Sequence, residues 1–154
     1  MKNLYLLVKK FYKFFKIPCK DKILLFQAFF LTGLIRFAIL IIAFSTLTKL
    51  AGKYKEESPK YLSDMDRFTA KRVSWAVNII SRNTPWESKC LVKALTAQVL
   101  LKQKRISSTL YLGVAKDKEN KLIAHAWLRS GKDIITGGDE KILFTKVAKF
   151  ATND

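Results

Sequence analysis

The sequence predicts an α+β domain, and three observations carry that prediction. Apolar residues recur at helical spacing through most of the first hundred positions. After residue 105 the pattern changes to short runs, LYLGVAKD, KLIAHAWLR and DIITG, separated by the turn signals KEN and SGK. Helices first and hairpin-linked strands afterwards is the segregated order of an α+β layout, here an antiparallel meander. With 154 residues, 49% of them hydrophobic, the chain is long enough for one core of ordinary size.

Taken in order, residues 1–20 place Tyr5, Val8, Tyr12 and Phe15 on one side of a helix and Lys2, Lys9, Lys13 and Lys16 on the other. Such a basic amphipathic helix suits a membrane surface or a partner groove, or a core-facing helix with lysine stems outside. Residues 23–44, ILLFQAFFLTGLIRFAILIIAF, form the most hydrophobic stretch. At ~1.5 Å per residue it nearly spans a bilayer core. Gln27, Thr32 and Arg36 interrupt it, and a central arginine costs roughly 2.5–3.5 kcal/mol in a membrane-spanning helix. The preferred reading is a long helix packed on the domain or lying at the membrane surface, with Gln27 and Arg36 facing protein or headgroups.

AGKYKEESPKYLSD is polar, charged and proline-containing, and reads as a linker. The organisation is therefore N-terminal helices over 1–50, a linker over 51–62 and a core over 63–154. Ser63 or Asp64 can cap a helix running to about Ile80. SRNT breaks it. Thr84, Pro85 and Glu87 then spell a capping box, which starts the next helix and carries it to about Gln103. The three strands follow, and a short last helix is expected over 144–151.

The charge is unusual: 29 Lys and Arg against 12 Asp and Glu give +17. Such a field attracts nucleic acid, anionic lipid or acidic peptide. The lysines are scattered over every segment and no nucleic-acid-binding motif is present, so nucleic acid is not an expected partner. Two cysteines, Cys19 and Cys90, make no disulfide framework, and MKNLYLLVKK lacks the features of a secretory signal. A cytoplasmic location, where a free thiol survives, is expected.

Chemistry converges on two rare residues. Cys90 follows the capping box, within two turns of the positive end of a helix dipole and beside Lys89 and Lys93, a setting that favours thiolate over thiol. A thiolate is the nucleophile needed to attack a carbonyl. His125, the single histidine, sits in AHAW on the second strand. Each alone has a plain alternative: a cysteine packed as a small hydrophobe, a half-buried histidine. Together, a cysteine at a helix start and a histidine on the following antiparallel sheet match the layout of cysteine peptidases and transglutaminases. Imidazole there takes the thiol proton and returns it to the leaving amine. One histidine and two distant cysteines do not reach the count or spacing of a metal site, and no cofactor is called for.

The stretch PWESKCLVKALTAQVLLKQKRISSTLYLGVAKDKENKLIAHAWLRSGKDIITGG resembles the transglutaminase-like leader peptidases of lasso-peptide biosynthesis, in their stand-alone form without a leader-binding domain. PW-x-x-x-C-L, ALTAQVLL, LYLGV, AHAWL and IITGG carry the resemblance, and LLFQAFFLTGLIRFAI resembles the family's hydrophobic N-terminal helix; it covers roughly residues 20–150. It implies a papain-like Cys–His–Asp peptidase that removes the leader of a ribosomal precursor peptide. A separate leader-recognition protein and a macrolactam synthetase are then the implied partners. Cys90 carries over as nucleophile and His125 as general base.

The third residue does not carry over cleanly. With a two-residue turn at Ser130–Gly131, Thr136 falls opposite His125. Asp139 reaches back if Gly137–Gly138 bends the strand, and Asp133 lies nearer the turn. Asp139 is preferred, and a Cys90–His125 dyad remains open. The alternative function is a non-catalytic, membrane-associated peptide-binding protein with a transglutaminase-like fold. Fast labelling of Cys90 by iodoacetamide at neutral pH separates an activated thiolate from a packed thiol.

Overall fold

The structure, a computed structural model, describes residues 17–138 and 143–153. Four helices and a five-stranded antiparallel sheet make up the described residues, so the α+β expectation holds. The basic helix expected over residues 1–20 lies, up to residue 16, outside the described residues.

Helix α1 runs Cys19–Ile41, behind Pro18, with Asp21 in its first turn. A short helix α2, Phe44–Leu50, and a two-residue strand β1, Lys53–Tyr54, follow. Helix α3 runs Asp64–Ser81. Of the two expected caps, Ser63 is the one used: its side chain accepts from the Asp66 backbone N–H at 3.1 Å, and Asp64 and Asp66 sit favourably at the positive end of the helix. Helix α4, Cys90–Gln103, is buried nearly all round, through Val92, Ala94, Leu95, Ala97, Leu100 and Leu101. An apolar helix of that kind belongs at the centre of a domain. Strands β2 (Ser108–Lys116), β3 (Leu122–Ser130), β4 (Asp133–Thr136) and β5 (Thr145–Thr152) complete the chain.

The core joins α1 (Leu24, Leu25, Ala28, Ile35), α3 (Val73, Ala76, Val77), α4 and one face of the sheet (Leu110, Ala126, Leu128, Ile135, Phe150). Two ion pairs add to the seating of α1, one between Asp21 and Arg72 of α3, the other between Arg36 and Glu87 at 3.1 Å. Arg36 thus faces the protein, while Gln27 is exposed.

Three local expectations are corrected. The segment 51–62 is more than a linker. Its Lys53 and Tyr54 pair with Ala151 and Phe150, and the buried Ser58 donates its backbone N–H to the Thr109 hydroxyl at 2.8 Å. The 144–151 segment is a strand, not a helix. Strand β5 pairs with β2 from Ser108↔Thr152 to Val114↔Thr145, giving the order β1-β5-β2-β3-β4. An unpaired edge on β2 exposes a row of donors and acceptors, and ladder bonding there outweighs a weak local helical preference. The meander therefore covers β2, β3 and β4 only. Third, the capping box does not form, with consequences for the thiol described next.

Candidate active site

Helix α4 begins at Cys90 itself, with Lys89 as a cap that makes no side-chain hydrogen bond. The Thr84 hydroxyl donates to the Trp86 carbonyl at 3.2 Å and shares a 3.0 Å hydrogen bond with Ser88. Glu87 reaches Lys89 at 2.8 Å and Arg36 rather than a backbone N–H of the helix. Lys89 beside it holds the Glu87 carboxyl below its ordinary pKa, with Arg36 adding to the effect. The TPWESK segment is consequently a non-helical lead-in, and the helix expected to be capped by Thr84 is capped five residues later, by Lys89.

That shift brings Cys90 closer to the helix end than the sequence suggested. The first intrahelical bond there is Lys93 N–H to the Lys89 carbonyl at 3.1 Å. The N–H groups of the first turn lack helical partners and concentrate positive potential around Cys90. The lead-in is held from outside by α1. Trp86 packs on Phe29 with ring centroids 4.9 Å apart, and a Cβ on Gly33 would stand 3.0 Å from its indole ring. Gly33 thus makes room for the tryptophan that fixes the approach to Cys90.

His125 lies on β3 opposite Gly113 of β2. Because side chains alternate along a strand, His125 and Trp127 share one face while Ala126 and Leu128 enter the core. His125 continues an aromatic column: its ring is 6.0 Å from Trp127, which stacks on Tyr111 at 5.6 Å, and 4.9 Å from Phe144. Gly113 leaves space for this column, since a Cβ there would come within 2.8 Å of Trp127 and 2.9 Å of Phe144.

The imidazole Nε2 is 3.0 Å from the Gly137 carbonyl oxygen. A carbonyl only accepts, so neutral imidazole bonded there carries its proton on Nε2 and its lone pair on Nδ1. Gly137 has φ +71°, and a Cβ on it would meet the Ala126 carbonyl oxygen at 2.5 Å and His125 Nε2 at 3.1 Å. Glycine is required at this position by backbone conformation and by space together.

Cys90 and His125 line one cleft of about 400 Å³ with Asn78, Arg82, Lys89, Lys93, Ala124 and Gly137. No hydrogen bond joins the thiol to the imidazole. Pairs of this kind in unliganded sites are commonly loose and tighten around substrate. Cys19 stands apart, exposed at the start of α1. Sequence reading missed Asn78 and Arg82, and it gave Gly137 a bend in the strand but no role for its carbonyl. A polar Asn78 among Val77, Ile79 and Ile80 was the available signal; a backbone carbonyl leaves none.

The expected orienting residues separate. Ser130 pairs with Asp133, so the turn residues are Gly131 and Lys132, with Gly131 at φ +58°. A register shift between Leu128 and Arg129 then puts Thr136 opposite Leu128, not His125. Thr136 is buried and its hydroxyl finds no hydrogen-bond partner among the described residues. Asp133 sits at the turn and takes two hydrogen bonds from Arg67, at 2.7 and 3.1 Å. The Arg67 guanidinium lowers the Asp133 pKa, and Asp133 in turn raises that of Arg67. Five residues of extended strand, roughly 16 Å, separate Ser130 from His125 along β3. Asp139 lies outside the described residues.

The family model described as Transglutaminase-like superfamily matches residues 31–149. No curated protein and no solved structure gives a match. The matched span takes in the second half of α1, the lead-in, Cys90, the whole β2–β3–β4 meander and the first part of β5. The match covers more than three quarters of the chain, and the chain belongs to the transglutaminase-like superfamily.

Proposed function

We propose that the protein is a cytoplasmic cysteine peptidase that removes the leader from a lasso-peptide precursor before macrolactam closure. The observation that carries the reading is the shared cleft of Cys90, at the first residue of α4, and His125. Membership of a superfamily in which Cys–His–Asp peptidase chemistry is common supports it. The step from peptidase to lasso-peptide maturation rests on the resemblance of PWESKCL, AHAWL and IITGG to that family.

In this reading His125 Nδ1 takes the Cys90 proton as the sulfur attacks the scissile carbonyl. The tetrahedral oxyanion collapses, the amine of the core peptide leaves with the proton from His125, and an acyl-enzyme on Cys90 remains. Water activated by His125 then releases the leader carboxylate and restores the thiol. First-turn N–H groups of α4, the Cys90 N–H among them, are the proposed donors to the oxyanion. The Gly137 carbonyl fixes the imidazole tautomer. With Asp133 bound to Arg67 and Thr136 paired across from Leu128, Asp139 is the proposed orienting carboxylate, sharing the Nε2–H with the Gly137 carbonyl. The freed core amine passes to a macrolactam synthetase, and a separate recognition protein presents the leader.

The test is Cys90→Ala assayed by mass spectrometry on precursor peptide with the recognition protein present. Leader removal is expected to disappear while circular dichroism stays unchanged, and Cys19→Ala is expected to cleave normally. Full cleavage by the Cys90 variant overturns the reading. It would leave the non-catalytic peptide-binding alternative, to which slow iodoacetamide labelling of Cys90 would also point.

A further inference from the structure

Helix α1 has two apolar faces, and only one is used. Leu24, Leu25, Ala28, Thr32 and Ile35 are buried against the domain. Ile23, Phe26, Phe30, Leu34, Phe37 and Ile41 are each 57–66% exposed. Their spacing of three or four residues puts them in one stripe along a helix of 23 residues, about 34 Å long. Ile42 and Phe44 extend the stripe beyond the helix end. An apolar strip of that length exceeds what monomeric proteins ordinarily leave to water.

Charge decides what covers it. Between residues 19 and 50 the bases are Lys20, Lys22, Arg36 and Lys49, and the single acid, Asp21, is ion-paired to Arg72. Lys20, Arg72 and Lys104 surround Ile23 and Gln27 at one end of the stripe. Lys49 is exposed near the other end, beside exposed Leu50. The eighteen residues before α1 add Lys2, Lys9, Lys10, Lys13 and Lys16 and no carboxylate. A second copy would bring one +17 chain against another, which like-charge repulsion opposes. An anionic bilayer instead attracts each nearby Lys or Arg by about 1 kcal/mol while the apolar stripe enters the acyl boundary.

We propose that the outer face of α1 docks in the plane of an anionic lipid surface, as a one-sided anchor. A membrane span is incompatible with this structure, because the other face of the same helix is part of the domain core and its Arg36 and Asp21 are ion-paired to the domain. The proposal is independent of the peptidase reading.

Flotation of the full chain with vesicles tests it. The protein is expected to float with phosphatidylcholine vesicles containing phosphatidylglycerol, to bind much more weakly to pure phosphatidylcholine, and to be released by carbonate. The triple variant Phe26→Ser, Phe30→Ser, Phe37→Ser changes exposed positions only and should keep its circular dichroism spectrum. Its partition onto anionic vesicles should fall by roughly tenfold or more. Lys20→Gln with Lys104→Gln should weaken binding several-fold at low salt and hardly at high salt. Three results overturn the proposal: no flotation with anionic vesicles, carbonate-resistant integration, or a concentration-dependent dimer that Phe30→Ser abolishes. The last would assign the face to a second copy.

Discussion

Gly137 carries two demands at once. Its backbone takes φ +71°, and its carbonyl meets His125 Nε2 at 3.0 Å. Gly137→Ala should cost about 1–2 kcal/mol from the left-handed backbone alone, with a further loss from the contact to the Ala126 carbonyl. Urea unfolding measures the first effect. A fall in kcat larger than the change in KM would show that the imidazole has lost its orientation, whereas unchanged kcat would deny the Gly137 carbonyl that role. Asp133 gives the contrasting case. Its pKa is depressed by Arg67, so the stabilisation is present above the ordinary carboxylate value and is lost as pH falls through the depressed one. Because the pair is open to solvent, water and salt screen most of its contribution. Asp133→Asn should lower stability only slightly at pH 7, flatten its decline below about pH 4, and leave cleavage near wild type. Asp139→Asn should instead reduce turnover strongly with little change in peptide binding. If it does not, the Gly137 carbonyl suffices to orient a Cys90–His125 dyad.

At the scale of elements, the segment from Thr84 to Lys89 shows how a local signal is overridden. T-x-x-E with proline at the second position spells a helix start, yet the helix waits until Cys90. Burying Trp86 against Phe29 and Gly33, and pairing Glu87 with Arg36, draws those residues onto α1 and away from their own backbone. The contact predicts a coupling between α1 and the thiol. Gly33→Val raises intrinsic helix propensity by a few tenths of a kcal/mol, but its added atoms enter the space of the Trp86 ring. Net destabilisation, shifted tryptophan fluorescence and a lower kcat are expected. A variant as active and more stable than wild type would show that the lead-in tolerates displacement. Strand β5 teaches the same lesson at the other end, where pairing with β2 outranks local pattern.

At the scale of the whole molecule, α1, α3 and α4 share one core with one face of the sheet, and Cys90 and His125 line a cleft of about 400 Å³ among the described residues. In the proposed function the leader lies mostly outside that cleft, on a separate recognition protein. Adding that protein should therefore raise kcat/KM for precursor, since remote binding energy then positions the scissile bond. Equal rates with and without it would reject the partnership. A truncated substrate lacking the leader's distal part should lose this stimulation.

The sequence by itself determined the class of fold, the long apolar helix, the three strands of the meander and the two residues worth testing. Each of those is written in short-range periodicity or in the scarcity of a residue type, which tertiary contacts do not rewrite. The tertiary structure decided the rest. Whether 51–62 joins the sheet, whether 144–151 is strand or helix, and where α4 begins all depend on partners distant in sequence: Ala151, β2 and Trp86 against α1. The orienting groups followed the same rule. A shift of register between Leu128 and Arg129 moved Thr136 away from His125, and a turn one residue later than assumed left Asp133 with Arg67. A strand's side chains change face with every residue of slippage, so such a site is fixed only when the register is.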